Sequence, residues 1–437
     1  MPTQEAKKDE IEILKIEASH SDRVRAAVSA VLGNVMEWFD FAVYAFFATI
    51  IAEKFFPNDD PNVSILATFA VFGSGFLARP VGSIIIGKIA DTKGRKVALI
   101  LTIYLMALST VGIGFLPSYE MIGIFAPSML MVFRLVQGFA AGGEFGGATA
   151  FIVEWAPENR RGFYGSFVMA SLCAGMLLGS AAAAVVTSFM STQSLVLWGW
   201  RIPFLLGICI LVVGVYIRRQ VGEPPVFQEA KQEGVAQKSA ARTNPLLITC
   251  KAFGLSIAWT GSFYVLLSYM PTFSEKVLNL SNSQALWSNT IALLVIIIAI
   301  PLLGLASDIY GRRKILLLAC LFFIVFTYPL FSLMIHFPTF AVVVSCQIIF
   351  SIFAAFYNGP APAAMAEMFN TQSRTLWMSL GYSASNAIFG GFAPFIVTLL
   401  IKLTGSPQSP SLYVIPISIV SALVIFKMRE TAHVRLK

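Results

Sequence analysis

Apolar stretches of about 20 residues or more alternate with short polar connectors along almost the whole chain, which is the length a helix needs to cross the hydrocarbon core of a bilayer. The pattern predicts spans at 26–52, 64–89, 97–116, 125–152, 163–189 and 202–221, then at 247–272, 285–307, 315–335, 339–367, 375–403 and 411–427. Between the two sets, residues 222–244 are polar, carry paired prolines and show no apolar periodicity, so they read as a linker. The expected fold class is therefore an all-α polytopic membrane protein with twelve transmembrane helices in two six-helix pseudo-repeats. Its parts are a tail at 1–25, a bundle at 26–221, a linker at 222–246, a bundle at 247–427 and a tail at 428–437.

Two repeats in the connectors make the halves an internal duplication. The pattern GxxxDxxGR, followed by a second cation, occurs around Asp91, Gly94 and Arg95 and again around Asp308, Gly311 and Arg312. A second pair, Glu154 to Arg161 after the fourth span and Glu367 to Arg374 after the tenth, repeats a spacing of seven residues. Paired repeats of helical bundles are the architecture of secondary transporters. Each Asp of the repeated turn can pair with its Arg or cap a neighbouring helix N-terminus, and a pair that breaks when the halves rock is a gate. Ordinary charged anchors would need neither Gly nor Asp at fixed spacing. Asp91, Gly94, Arg95, Asp308, Gly311, Arg312, Glu154 and Arg161 are the gating candidates.

Composition closes off other classes. The 437 residues are 57% hydrophobic and 12% charged, against about 25% charged in soluble domains. The net charge of +8 does not form a basic face, so nucleic acid is not an expected partner. Of 31 Lys and Arg, the predicted topology puts 25 on one side, four (Lys54, Arg201, Lys276, Lys402) on the other and two inside spans. Cations are retained on the cytoplasmic side, which predicts two cytoplasmic termini. The first 25 residues mix acids and bases, so no cleaved leader is expected. The glycine-rich string at 138–147 lacks the Lys-Ser/Thr ending of a phosphate loop. Five cysteines without ligand spacing predict no metal, and no cofactor or enzymatic cluster is expected.

Chemistry then concentrates in the buried charges, because an ionisable side chain inside a span costs roughly 2.5–3.5 kcal/mol on insertion scales. The first half holds Glu37 and Asp40 in its first span, Arg79 in its second, and Arg134, Gln137 and Glu144 in its fourth. Glu37, Asp40 and Tyr44 share one side of a helix, as do Arg134 and Gln137. Three acids against two guanidiniums leave one carboxylate in excess, and a carboxylate that gains and loses a proton as the site opens to each side in turn is what proton coupling requires. Glu37, Asp40 and Glu144 are the candidates for that role. Arg79 and Arg134 are forks for a substrate carboxylate. The second half offers neutral polar groups, of which Tyr264, Tyr357, Asn358 and Asn386 are the substrate-contact candidates. Structural ion pairs and interhelical hydrogen bonds are the competing readings for all of these residues.

The strings Gly33-Asn34-Val-Met-Glu37-Trp38-Phe39-Asp40-Phe41, Phe76-Leu-Ala-Arg79-Pro80-Val-Gly82, Arg134-Leu-Val-Gln137-Gly138, Gly142-Gly143-Glu144 and Trp198-Gly-Trp200-Arg201-Ile-Pro203-Phe204 resemble the metabolite:proton symporters of the major facilitator superfamily. The resemblance covers nearly the whole chain and implies the major facilitator fold, a bacterial inner-membrane location and proton symport by alternating access, with small-molecule substrate, protons and the bilayer as partners. It leaves the oligomeric state open, although a monomer suffices. Members carry proline/betaine, α-ketoglutarate, citrate or shikimate, so the resemblance implies import of a small carboxylate-bearing metabolite or, as the alternative, a zwitterionic osmolyte. Some proline/betaine members carry a long C-terminal coiled coil, a pattern not seen after residue 427. A proton-driven exporter would have a more apolar cavity without an Arg pair, and a non-transporting sensor on the same fold would move no protons with solute.

Overall fold

The computed structural model describes residues 34–93, 95–142, 144–208, 212, 245–369, 374–432 and 434. Among these residues every regular element is a helix. Nine helices are long and apolar enough to cross a membrane: Pro61–Ile86, Phe125–Ala150, Glu158–Phe189, Leu246–Ser268, Asn282–Tyr310, Arg312–His336, Phe340–Glu367, Trp377–Thr404 and Ser409–Phe426. They are the second, fourth, fifth and seventh to twelfth spans. The first is a broken helix, Asn34–Phe46 and Ala48–Phe55 bent by 63°. The third lies in Arg95–Phe115, of which Ile100–Phe115 is the apolar part. The predicted sixth is described only as far as residue 208 and at 212.

Several breaks depart from the continuous spans expected. The first span breaks at Phe47, whose backbone (φ −98°, ψ 16°) lies between the helical and extended basins without a Pro or Gly. The seventh ends in a π-helical turn, Tyr264–Ser268, and the eleventh contains another, Asn386–Gly391. Such wide turns interrupt the regular i→i−4 ladder and are frequent at functional sites. Each begins at a residue that the sequence nominates for substrate contact.

Glycine sets the spacing that matters most. The second and fourth spans meet backbone to backbone, because a Cβ on Gly138 would collide with the carbonyl of Gly75 and one on Gly75 with that of Arg134. This close contact lets Arg79 and Arg134 share the ring of Phe41. Gly138→Val should therefore collapse the yield of folded protein, whereas Gly147→Ala, with open space around it, should express like the parent. Fluorescence-detected size exclusion of the solubilised chain checks both. Equal profiles would show that the helices part freely at this point.

The halves meet along the fifth and eighth spans, joined by Ser180 Oγ to Thr290 Oγ1 at 2.7 Å and Ser188 Oγ to Ser283 Oγ at 2.9 Å. The eighth span runs 29 residues, about 44 Å at 1.5 Å per residue, so it outreaches the hydrocarbon core.

Candidate functional site

The buried charges of the first half converge. Arg79 Nη2 lies 2.9 Å from Glu37 Oε1, with the side chains only 3% and 4% exposed. Arg134 is completely buried and donates from Nη1 to Gln137 Oε1 at 2.7 Å, while Gln137 Nε2 donates to Thr110 Oγ1 at 2.7 Å. The guanidiniums lie over aromatic rings: Arg79 Cζ is 4.9 Å from the Phe41 centroid and 4.7 Å from Phe76, and Arg134 Cζ is 4.6 Å from Phe41, 4.4 Å from Tyr44 and 4.9 Å from Phe72. Ring faces attract such cations most strongly when both are desolvated. Phe41 serves both arginines, and the Tyr44 hydroxyl donates to the Thr68 carbonyl at 3.0 Å. Asp40 stands one helical turn from Glu37, beside Arg134 and Thr110.

Hydrogen-bonding capacity remains unused at the centre. Nε and Nη2 of Arg134, Nε of Arg79 and Oδ1 of Asp40 are buried without a partner among the described residues. Each such atom is costly unless something binds it during the working cycle. On the facing half, the Tyr264 hydroxyl and both amide atoms of Asn386 are equally unpartnered. The Tyr264 ring packs 5.3 Å from Phe76, 5.9 Å from Trp38 and 6.1 Å from Phe72, so the two halves meet at a layer of aromatic rings around the arginines. Lower in the same seam, Phe145 stacks on Tyr382 at 4.0 Å.

Not every nominated residue reaches this centre. Tyr357 donates to the Leu255 carbonyl at 2.6 Å, inside the second bundle. Asn358 accepts from Trp259 Nε1 and donates to the Ala354 carbonyl, both at 2.7 Å, so each of its amide atoms has a partner within the second bundle. The side chain of Glu144 lies outside the described residues. Trp38, Phe72, Phe76 and Thr110 were missed, since aromatic and Thr side chains in apolar spans carry no signal of their own. Asn289 adds a buried amide with both atoms unpartnered.

A second cluster ties the halves at the face where the GxxxDxxGR turns lie. Asp308 pairs with Arg312 at 2.6 Å, and its carboxylate also accepts from the backbone N–H of Gly162 at 2.9 Å and of Phe163 at 2.8 Å. Both alternatives read from the sequence are thus realised at once, an i,i+4 ion pair and a cap on the first turn of the fifth span, across the interface of the halves. Arg312 also meets Glu367 at 3.3 Å, which links the two sequence repeats physically. Gly311, at φ +99°, turns the chain where a Cβ would meet the Glu430 carboxylate. That carboxylate accepts from the N–H groups of Arg312 at 2.8 Å and Arg313 at 3.1 Å, an anion at a helix N-terminus. Arg161 donates to the Val434 carbonyl at 2.7 Å. Glu430 and Val434 had no sequence signal. Gly94 and the side chains of Asp91, Arg95 and Glu154 lie outside the described residues.

At the opposite face, Lys402 Nζ lies 2.7 Å from Asp60 Oδ2, and Thr49 Oγ1 donates to Glu275 Oε2 at 3.2 Å. The hydrogen bond from Lys402 holds the Asp60 carboxyl below the usual carboxylate range. Beside them, a cavity of about 340 Å³ is bordered by Asn62, Tyr269, Thr272, Lys276 and Thr398. Lys276 and Lys402, which the charge pattern puts on one side of the membrane, do share a face.

Comparison with known proteins agrees with this geometry. The family described as "Sugar (and other) transporter" matches residues 26–247, and "Major Facilitator Superfamily" matches residues 275–437. The chain is 35% identical over 391 residues to the citrate-proton symporter of Klebsiella pneumoniae, covering 89% of this chain and 88% of that one. It is 32% identical over 427 residues to the proline/betaine transporter of Escherichia coli (strain K12), covering 94% and 85%. Among solved structures, the xylose transporter XylE from E. coli in a partially occluded inward-open conformation superposes with a TM-score of 0.78 at 18% identity, over 94% of this chain and 99% of that one. XylE bound to 6-bromo-6-deoxy-D-glucose gives the same TM-score at 16% identity, and these two likenesses speak for the fold alone. The spanning helices among the described residues, a buried Arg pair and whole-length relatives at this identity have one common reading: the chain is a multi-pass membrane protein of the major facilitator superfamily and belongs to its metabolite:proton symporter family.

Proposed function

We propose that the protein imports a small carboxylate-bearing metabolite, citrate, α-ketoglutarate or a similar organic acid, together with protons across the bacterial inner membrane. Both termini are cytoplasmic in this reading, which rests on the bias of Lys and Arg towards one side. Residues 26–221 and 247–427 are the two bundles, joined by 222–246, and they rock about a central site. Arg134 and Arg79 hold the carboxylate, with Tyr44 and Gln137 orienting the fork and Tyr264 and Asn386 completing the site from the other bundle. Asp40 takes the coupling proton, with Glu37 bound to Arg79 and Glu144 as the other acids of the site. The clusters around Asp308 and Lys402 are the inner and outer gates.

One observation carries the reading: a completely buried guanidinium, Arg134, with two unpartnered nitrogens beside a second arginine. Paired N–H groups in a fixed plane suit a carboxylate. A second reading, a zwitterionic osmolyte such as proline or betaine, is favoured by the relative of that name and by acids balancing both arginines. The ring faces that could cage a quaternary ammonium are, however, covered by the guanidiniums themselves, which favours the acid. The test is uptake into proteoliposomes under an inward proton gradient, with citrate, α-ketoglutarate, proline and glycine betaine as substrates. Accumulation of an acid is expected. Accumulation of proline or betaine alone would transfer the function to the second reading.

A further inference from the structure

Two glycines on helices of opposite halves are each covered by a phenylalanine of the other helix. A Cβ added to Gly73 of the second span would stand 2.7 Å from Cδ1 and 2.8 Å from Cε1 of Phe392 in the eleventh. One added to Gly391 of the eleventh would stand 2.6 Å from Cγ and 2.9 Å from Cβ of Phe76 in the second. Carbon atoms pack at about 3.5–4.0 Å, so only glycine admits either ring, and the base of the Phe76 side chain cannot swing aside as a chain end could. The contacts are reciprocal: each helix gives one ring and receives one. The eleventh span is widened just here by its π turn, Asn386–Gly391, and Phe392 is the next residue. Phe76 is completely buried, with its ring 5.3 Å from that of Tyr264 in the other half, 5.1 Å from Phe41 and 4.7 Å from Arg79 Cζ.

Along these two helices the ring contacts stand between one face and the arginines. At that face Asp60, the N-cap of the second span, pairs with Lys402 in the last turn of the eleventh at 2.7 Å. Next comes the cavity of about 340 Å³, to which the same two helices contribute Asn62, Ile65, Thr398 and Ile401. The rings on glycine follow, and Arg79 lies about one turn beyond Phe76. We infer that Phe76 on Gly391 and Phe392 on Gly73 form a latch that shuts the arginine centre off from this cavity, each ring matched in size to the bare backbone opposite. Both contacts cross between the halves, so they last only while the second and eleventh spans are together at this level. Parting the spans uncovers both glycines and takes Tyr264 away from Phe76, while Arg79 and Phe41 stay with it in the first half. Because Phe76 also packs against Arg79, a loss of uptake in a Phe76 variant would not distinguish latch from site. The separation of the helices does, and it does not depend on which solute the protein carries.

The experiment places spin labels at Asp59 and Leu403, both exposed at the Asp60 face, and measures their separation in the purified full chain without substrate by double electron–electron resonance. The parent should populate a short distance. Gly391→Ala and Gly73→Ala should each move the ratio of short to long distances about tenfold towards long, because a methyl forced against a packed ring is relieved when the helices part. Size complementarity then assigns the pairs. Adding Phe76→Leu should return Gly391→Ala to the parent distribution, and adding Phe392→Leu should do the same for Gly73→Ala, whereas the exchanged combinations should stay long. Rescue by either leucine regardless of partner, or a parent-like distribution in both alanine variants, would overturn the latch. If the alanine variants do not fold, Phe76→Leu and Phe392→Leu alone carry the test, since they only remove atoms. Each should lengthen the distance, and parent-like distributions in both would overturn the inference.

Discussion

Arg134→Lys should cut uptake of the proposed acid substrate about 100-fold, while the chain folds and inserts like the parent. Lysine keeps the charge but places it on one atom, and the Arg134 site uses the whole plane of the guanidinium. One edge is fixed on Gln137 at 2.7 Å, the faces are packed by Phe41, Tyr44 and Phe72, and Nε and Nη2 remain for a ligand. A lysine ammonium cannot satisfy Gln137 and grip a carboxylate in two places at once. Losing a charge-assisted bidentate contact in a dry site is worth about 3 kcal/mol, or roughly 100-fold in rate. Arg79→Lys should do less, about tenfold, because its ion pair with Glu37 is a single contact that an ammonium can reproduce. Proteoliposome uptake normalised to folded protein measures both. Equal activity of Arg134→Lys and the parent would reduce Arg134 to a structural ion.

The difference between these two arginines shows where sequence reasoning stops. Both are legible because a guanidinium within an apolar run demands an explanation, and the same logic picks out Glu37 and Asp40. The twelve-span plan is legible for a related reason, since the bilayer leaves a backbone no option but to satisfy its own hydrogen bonds. What decides function inside that frame is rotation about each helix axis. Tyr264 and Tyr357 are both tyrosines in apolar spans, yet one faces the arginines and the other a carbonyl in its own bundle. The bend at Phe47 and the π turn at Tyr264 change that rotation without a proline or glycine at the break to announce it, and the π turn at Asn386 starts four residues ahead of its glycine pair, Gly390 and Gly391. Thr110 was invisible, because threonine in a membrane span ordinarily bonds to its own helix. The proposed gate was half visible: i,i+4 spacing gives the Asp308–Arg312 pair, but no local pattern brings Glu430 to Gly311.

The cluster proposed as the inner gate supplies the second large effect. Asp308→Asn should shift the resting conformation towards states in which the halves are apart at the Arg312 face. The native carboxylate accepts from two backbone N–H groups of the fifth span and from Arg312, all at 2.9 Å or less. An asparagine of the same shape has one acceptor oxygen, and its NH2 group must face either an N–H or a guanidinium, so at least one contact turns repulsive. Removing one member of a buried pair costs about 3–5 kcal/mol. Glu367, 3.3 Å from Arg312, remains to hold the cation, which puts the expected loss at the lower end. The two N–H contacts to the fifth span cross between the halves and exist only while this face is closed, so their loss falls on the closed state, whereas the Arg312 pair lies within the second half and its loss is shared by both states. A shift of about 3 kcal/mol changes the ratio of the two by roughly 100-fold, enough to invert a modest bias. Spin labels at Arg160 and Tyr310, both exposed on this face, should report a longer distance in the variant by double electron–electron resonance. Uptake should fall through slower return of the empty carrier, with substrate affinity at the Arg134 site close to that of the parent. An unchanged distance distribution would remove Asp308 from the gate even if uptake fell, and would leave its three contacts as a means of holding the fifth and eighth spans in register.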